Sequence, residues 1–194
     1  MKVRSSSPAT FFRRPAAGLT LVEILVTLAI VALLMTLAVP SFKPLLDRWR
    51  VRQAEGAVTD TLRLARTEAI KRGGSVVMQK MENSTDNCTT APLASDWGCG
   101  WRLFVDSDGN GKYTQGEEVL LNARVPAGMG VTHVLGAAGS SAETIAINRW
   151  GNMDGINAKS FIIYPYADGP GSPVTRTLCV SAGGRIGEKV GATC

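Results

Sequence analysis

Twelve consecutive residues carry a pattern with metal chemistry. Asp106-Ser107-Asp108-Gly109-Asn110-Gly111-Lys112-Tyr113-Thr114-Gln115-Gly116-Glu117 reads as D-x-D-x-N-G-x5-E, the form of a calcium loop. Ca²⁺ takes six to eight oxygens at about 2.3–2.6 Å. Asp106, Asp108 and Asn110 would offer side-chain oxygens, Lys112 its backbone carbonyl, and Glu117 a bidentate carboxylate. Gly111 would allow the sharp turn. The flanks predict strands, not the helices of an EF-hand. A plain polar hairpin is the competing reading, because Asp-Gly and Asn-Gly pairs are turn formers in their own right. Calcium is the only cofactor the sequence suggests, and no motif requires one.

A second group stands out by its surroundings. Glu23 lies at the start of an apolar run, and the nineteen residues between it and Lys43 carry no charge. At 1.5 Å per residue Leu19–Phe42 would give about 36 Å of helix, against about 30 Å of hydrocarbon core. Arg13 and Arg14 precede the run, which orients the leader to the cytoplasm and the rest of the chain outward. The run is too long for an ordinary signal peptide, and no A-x-A site or lipidation Cys follows it. A carboxylate in such a segment costs about 2.5–3.5 kcal/mol on insertion scales. Glu23 either snorkels to the membrane edge or meets a positive partner. Cutting after Gly18 would create that partner, because Glu23 would become the fifth residue of a chain with a cationic amino terminus.

The other reactive residue types are sparse. There are 4 Cys and 1 His in 194 residues. Cys88, Cys99, Cys179 and Cys194 all lie beyond the apolar run. An even count in an oxidising compartment argues for two disulfides. Three connectivities are open, of which Cys88–Cys99 with Cys179–Cys194 is favoured because both close local loops. A four-cysteine zinc site has the wrong spacing. His133 reads as a strand or loop residue. No G-x-S-x-G, H-E-x-x-H or Walker A motif is present, and Glu117-Glu118 would point to opposite faces of a strand. The chain is not expected to be an enzyme.

Composition limits the rest. Apolar residues make up 45% and charged residues 19%, enough for one or two domains around a sizeable core. The net charge of +5 is unevenly placed. Lys2, Arg4, Arg13 and Arg14 stand in the leader without an acid, and residues 43–72 carry a further excess of base. Residues 73–194 are slightly acidic, so the basic balance does not describe a nucleic-acid-binding domain.

The elements that must position these groups follow from periodicity. Val51, Ala54, Val58, Leu62, Ala65 and Ala69 keep the i, i+3, i+4 spacing of an amphipathic helix. Arg48, Arg52, Arg63 and Arg66 fall largely on the opposite face, solvated or paired between subunits. Lys71 and Arg72 suit a last turn, and Gly73-Gly74 a C-cap. Pro40 and Pro44 are expected to kink or locally melt the helix, with Gly56 a second weak point. Beyond residue 75 the predicted strands are Val76–Met81, Trp101–Val105, Val119–Val125, Val131–Leu135, Thr144–Asn148, Phe161–Tyr166 and Arg176–Val180. Residues 136–141 and 168–173 read as loops. The absence of β–helix–β alternation argues against a parallel α/β fold and for an α+β one.

Gly18-Leu19-Thr20-Leu21-Val22-Glu23, behind a short basic leader and before a long apolar run, resembles the prepilin processing motif of type IV pilins and type II secretion pseudopilins. Leu19 stands where that family usually has Phe. Ala65-Arg66-Thr67-Glu68-Ala69-Ile70-Lys71-Arg72 and Trp97-Gly98-Cys99-Gly100-Trp101-Arg102-Leu103-Phe104-Val105-Asp106 resemble the GspH/FimT branch, the H-type pseudopilins and FimT- or FimU-like minor pilins. The resemblance implies a pilin-like α+β fold with an antiparallel β head. Residues 1–18 would be a cleaved leader, 19–42 a transmembrane half-helix, 43–73 an amphipathic half-helix and 74–194 a periplasmic head. It implies cleavage between Gly18 and Leu19 by a prepilin peptidase, methylation of Leu19, and Glu23 neutralising a neighbour's amino terminus. The partners would be other pilin or pseudopilin subunits and the inner membrane, before assembly into a pilus or pseudopilus. Trp97 and Trp101 are expected to pack in the head. A C-terminal disulfide loop also recurs among pilins. Some FimT-like minor pilins take up DNA through a G-R-x-R motif. Here Gly184-Arg185-Ile186-Gly187 lacks the second Arg, leaving Arg176, Arg185 and Lys189 as a weak phosphate-binding set.

Overall fold

In the computed structural model, the described residues are 18–135, 141–153, 159–181 and 183–194, with the side chains of 37–41 excepted. The leader and part of the loop at 136–141 lie outside them. One helix, α1 (Leu21–Arg72), precedes β1 (Val76–Lys80), β2 (Trp101–Val105), β3 (Val119–Ala123), β4 (Met129–Val134), β5 (Thr144–Ile147), β6 (Lys159–Pro165), β7 (Arg176–Val180) and β8 (Ile186–Val190). Residues up to Phe42 form one compact unit and Lys43–Cys194 another.

The chain stays helical through Pro40, Pro44 and Gly56, so of the expected kink or local melting, the melting does not occur. Each proline removes a single N–H donor, and the bonds of adjacent turns carry the helix across the gap. In the first unit, Leu19, Leu21, Val22, Leu25, Leu28 and Leu33 are exposed. Among the described residues no helix is long and apolar enough to cross a membrane. The side chains at 37–41, inside the apolar run, lie outside that description.

In the second unit the helix periodicity meets its purpose. Val51, Ala54, Val58, Leu62, Ala65 and Ala69 are all buried and share one core with Trp97, Trp101, Leu103, Phe161 and Leu178. Leu62→Ala in so closed a core would cost about 2–5 kcal/mol. Trp101 donates its indole N–H to Thr61 Oγ1 at 3.0 Å, joining helix to sheet by a polar bond inside the core. The helix ends as its glycines dictate. Gly73 has φ 78° and Gly74 φ 115°, and the Gly74 N–H reaches back to the Ala69 carbonyl at 2.8 Å, a Schellman closure. Arg72, in the last turn, holds Glu118 through both guanidinium ends at 2.6 and 2.8 Å and Glu68 at 2.8 Å. That guanidinium keeps both carboxyls below their ordinary range.

The strands form two four-stranded antiparallel sheets, ordered β3-β2-β1-β5 and β4-β6-β7-β8. Seven lie where alternation placed them, with ends shifted by up to two residues. The eighth, β8, was not predicted. It pairs with β7 from Arg176–Val190 to Val180–Ile186, but Gly187, Glu188, Lys189 and Val190 are exposed. An edge strand with no buried alternation gives no period-2 signal. Cys88 pairs with Cys99 and Cys179 with Cys194, at Cα separations of 5.5 and 5.8 Å. Gly100 sits at φ 101° with its backbone against the Ala123 carbonyl, where a Cβ would be 2.2 Å from that oxygen. Only glycine fits between Cys99 and Trp101. His133 is buried in β4, stacked on Phe161 at 5.0 Å and edge-on to Trp97 at 5.4 Å.

Candidate assembly and processing site

Gly18, Leu19 and Thr20 precede the first helical turn, and Gly18 and Leu19 are exposed. Among the described residues, a Cβ on Gly18 would meet nothing within 4 Å. Thr20 caps the helix. Its Oγ1 accepts the Glu23 N–H at 3.2 Å and its carbonyl accepts the Ile24 N–H at 3.3 Å. The signal for this role in the sequence is the T-x-x-E spacing of Thr20-Leu21-Val22-Glu23, the signature of a capping box. Glu23 is thus the acid of the first turn, where the positive helix end favours a carboxylate. The side chain is exposed, and so are the large apolar residues around it. The site therefore couples an exposed Gly18–Leu19 pair, a capped helix start and a carboxylate set among exposed apolar side chains.

In the head, the Asp106–Glu117 segment is the β2–β3 connection. Asp106 is buried, with its N–H on the Ser75 carbonyl at 2.8 Å. Its two carboxylate oxygens accept the N–H groups of Asn110 at 3.1 Å and Gly111 at 3.0 Å. Glu117 accepts from Ser107 and Thr114, each at 2.8 Å. Carboxylate oxygens of Asp106, Asp108 and Glu117 lie within 4.8 Å of one another. Asn110 departs from the expected ligand set. Its amide nitrogen faces Asp108 at 2.7 Å, and its Oδ1 accepts the Lys112 N–H at 2.6 Å instead of turning to the carboxylates. The Asn110 N–H is the main reason the Asp108 carboxyl sits below its ordinary range. The donor set is hard and anionic, as Ca²⁺ requires.

The three basic residues near the C-terminus do not make an open patch. Arg176 gives its Nε to Glu55 at 2.5 Å and an Nη to Glu188 at 3.2 Å. Lys189 Nζ is bonded to the carbonyl of Cys194. Arg185 alone of the three is exposed without a described side-chain partner. Arg66 is a further correction. It leaves the solvated face and lies against Gly151 and Gly184, its Nη1 at 3.5 Å from the Gly184 carbonyl. The Glu55–Arg176 pair had no signal in the sequence, because its members are 121 residues apart.

The family model described as type II transport protein GspH matches residues 56–184, more than half of the chain. The chain belongs to this family. Its members are structural pilin and pseudopilin subunits, a class distinct from enzymes. The prokaryotic N-terminal methylation motif matches residues 13–39, which contain Gly18, Leu19 and Glu23. The chain is 30% identical over 173 residues to the pilin-like protein PilA1 of Thermus thermophilus, spanning 86% of this chain and 87% of that protein. Among solved structures it is similar to the type IV minor pilin FimU of Pseudomonas aeruginosa, at 19% identity and TM-score 0.48. That match covers 71% of this chain and 91% of FimU. It is also similar to the minor pseudopilin EpsH from the type 2 secretion system of Vibrio cholerae, at 11% identity and TM-score 0.48. That match covers 73% of this chain and 97% of EpsH.

Proposed function

We propose that this GspH-family chain is a minor pilin or pseudopilin held in the inner membrane with its head in the periplasm. A prepilin peptidase cuts it between Gly18 and Leu19, and it then assembles with other subunits. The observation that carries the reading is the exposed Gly18–Leu19 bond set directly before a capped helix whose first turn holds Glu23. Cleavage there frees a cationic amino terminus. A neighbour's amino terminus beside Glu23 would cancel both charges as the apolar helices leave the bilayer for a filament core. A buried charge without its partner is strongly unfavourable, so the pairing fixes the register between subunits. The head, carried on the amphipathic half of α1, sets which subunit can join next. Mass spectrometry of the mature chain tests the reading. Methylated Leu19 as the first residue is expected, and an intact Met1 overturns it.

For the Asp106–Glu117 loop we propose Ca²⁺ as a stabilising ion of the head. Support comes from the three converging carboxylates. Asp106, Asp108 and Glu117 would hold it, and it would offset their mutual repulsion. DNA display on a pilus has no comparable support, since Arg176 and Lys189 are engaged within the chain.

A further inference from the structure

We infer that the start of the head carries a site for the phosphate of an anionic phospholipid in the outer leaflet of the inner membrane. This rests on the membrane-anchored reading above. A cleft of about 200 Å³ opens between α1 and the start of β7, lined by Arg48, Arg52, Pro173, Val174, Thr175 and Val190, with Arg176 at its inner edge. Arg176 is spent on Glu55 and Glu188. Arg48 and Arg52 are exposed and enter no salt bridge among the described residues. They are four apart on one helix, so both guanidinium groups serve the same cleft. Thr175 is fully buried at its floor, and its hydroxyl has no hydrogen-bond partner among the described residues.

Apolar groups lie uncovered at and near the cleft. Val190, in its lining, is 76% exposed, and outside the lining, on the turns of α1 around Arg48, Leu45 is 61%, Trp49 63% and Leu46 50% exposed. A free phosphate would use the two arginines and none of these. A phospholipid uses the guanidinium pair for its phosphate and has exposed apolar side chains nearby for its glycerol and first acyl carbons. Trp is the residue that favours the level of the headgroups. Position along the chain agrees. Arg48 and Arg52 follow Phe42, the last residue of the apolar run, by six and ten positions in the sequence. Side chains on a helix lean toward its N-terminus, here the end where the apolar run lies. Long arginine side chains therefore lean back toward the headgroup layer. Such a contact would hold the head at a fixed orientation while the subunit waits for assembly.

The test is native mass spectrometry of the full chain, purified in mild detergent and titrated with phosphatidylglycerol, phosphatidylcholine or inorganic phosphate. Wild type is expected to retain phosphatidylglycerol in preference to phosphatidylcholine, and millimolar inorganic phosphate should not displace it. Arg48→Gln with Arg52→Gln should need about 30-fold more phosphatidylglycerol, from two surface arginines at the usual strength of each. Arg63→Gln with Arg185→Gln removes the same charge outside the cleft and should leave retention unchanged. The inference is overturned by equal retention of the two lipids, by displacement with inorganic phosphate, or by equal losses in the two double variants. Alkaline carbonate extraction of cell membranes separates the two levels of failure. A chain released by carbonate removes the anchored reading together with this site. A chain that stays in the membrane yet shows no lipid preference removes the site alone.

Discussion

Glu55 on α1 and Arg176 at the start of β7 meet at 2.5 Å, with the Glu55 side chain only 6% exposed. The pair fastens the helix to the second sheet beside the core. Burial raises the Glu55 carboxyl above its ordinary range, while the hydrogen bond and charge of Arg176 pull against that rise. A raised value in the fold means that the folded head binds this proton more tightly than the unfolded chain does. The Glu55 contribution is therefore fully present at acid pH and is lost as pH rises through the folded value. Arg176→Ala leaves burial unopposed and enlarges that loss. It should destabilise the head by about 3 kcal/mol at pH 7 and by clearly less near pH 4. Adding Glu55→Gln to Arg176→Ala should restore much of the neutral-pH stability. Thermal unfolding of the full chain at the two pH values reads this out. Glu68 and Glu118, held low by Arg72, lose their contribution as pH falls, but equally in all variants. Equal losses at both pH values, with no rescue by Gln, would show that the pair carries no charge-dependent stability.

The second disulfide guards the least self-sufficient strand. Cys179 and Cys194 close a segment with sequence separation 15, and β8 lies inside it. β8 presents four exposed residues and gains little from burial. Cys194→Ser should cost about 3 kcal/mol on the chain-entropy model. Hydrogen exchange should quicken first at Ile186–Val190, with β6 protected until global unfolding. Uniform loss of protection across both sheets would contradict this local role.

Which parts were readable follows from the same physics. The helix face from Val51 to Ala69 repeats an apolar period across five turns, and each of its predicted members is buried. The β2–β3 hairpin was readable because Trp101-Arg102-Leu103-Phe104-Val105 is a short aromatic and branched apolar run that ends in a run of turn residues. β8 was not, because Gly187, Glu188 and Lys189 hide an edge strand behind polar chemistry. At the candidate site, Glu23 was legible from its apolar setting, and Thr20 could have been from its spacing to Glu23. Glu55–Arg176 and Arg72–Glu118 depend on the final packing of distant segments, which no local pattern encodes.

The Asp106–Glu117 loop should respond to calcium. Three carboxylates share a small volume, and backbone donors keep Asp108 ionised at neutral pH. Millimolar Ca²⁺ is expected to raise the melting temperature of the wild type, with saturable binding by calorimetry. Asp108→Ala should abolish both while retaining the fold, since Asp106 still holds the turn through the Asn110 and Gly111 N–H groups. A melting temperature indifferent to both Ca²⁺ and chelator would identify the loop as a hairpin closed by its own hydrogen bonds.

Two variants at the helix start separate capping from pairing between subunits. Thr20→Ala removes the oxygen that accepts the Glu23 N–H. The expected cost is about 1 kcal/mol, confined to the first turn. Entry into the filament should survive it. Glu23→Gln keeps the side-chain length, and Gln serves as well as Glu at this position of a capping box. It loses only the charge. If Glu23 acted through the cap alone, Gln would replace it and the two variants would behave alike. If it meets a neighbour's amino terminus, Gln leaves that cation without its counter-charge in an apolar setting, and incorporation should fall by at least tenfold. Quantifying each variant in sheared filament and membrane fractions distinguishes the outcomes. Wild-type incorporation of Glu23→Gln would remove the charge pairing and leave the helix cap as the role of this carboxylate.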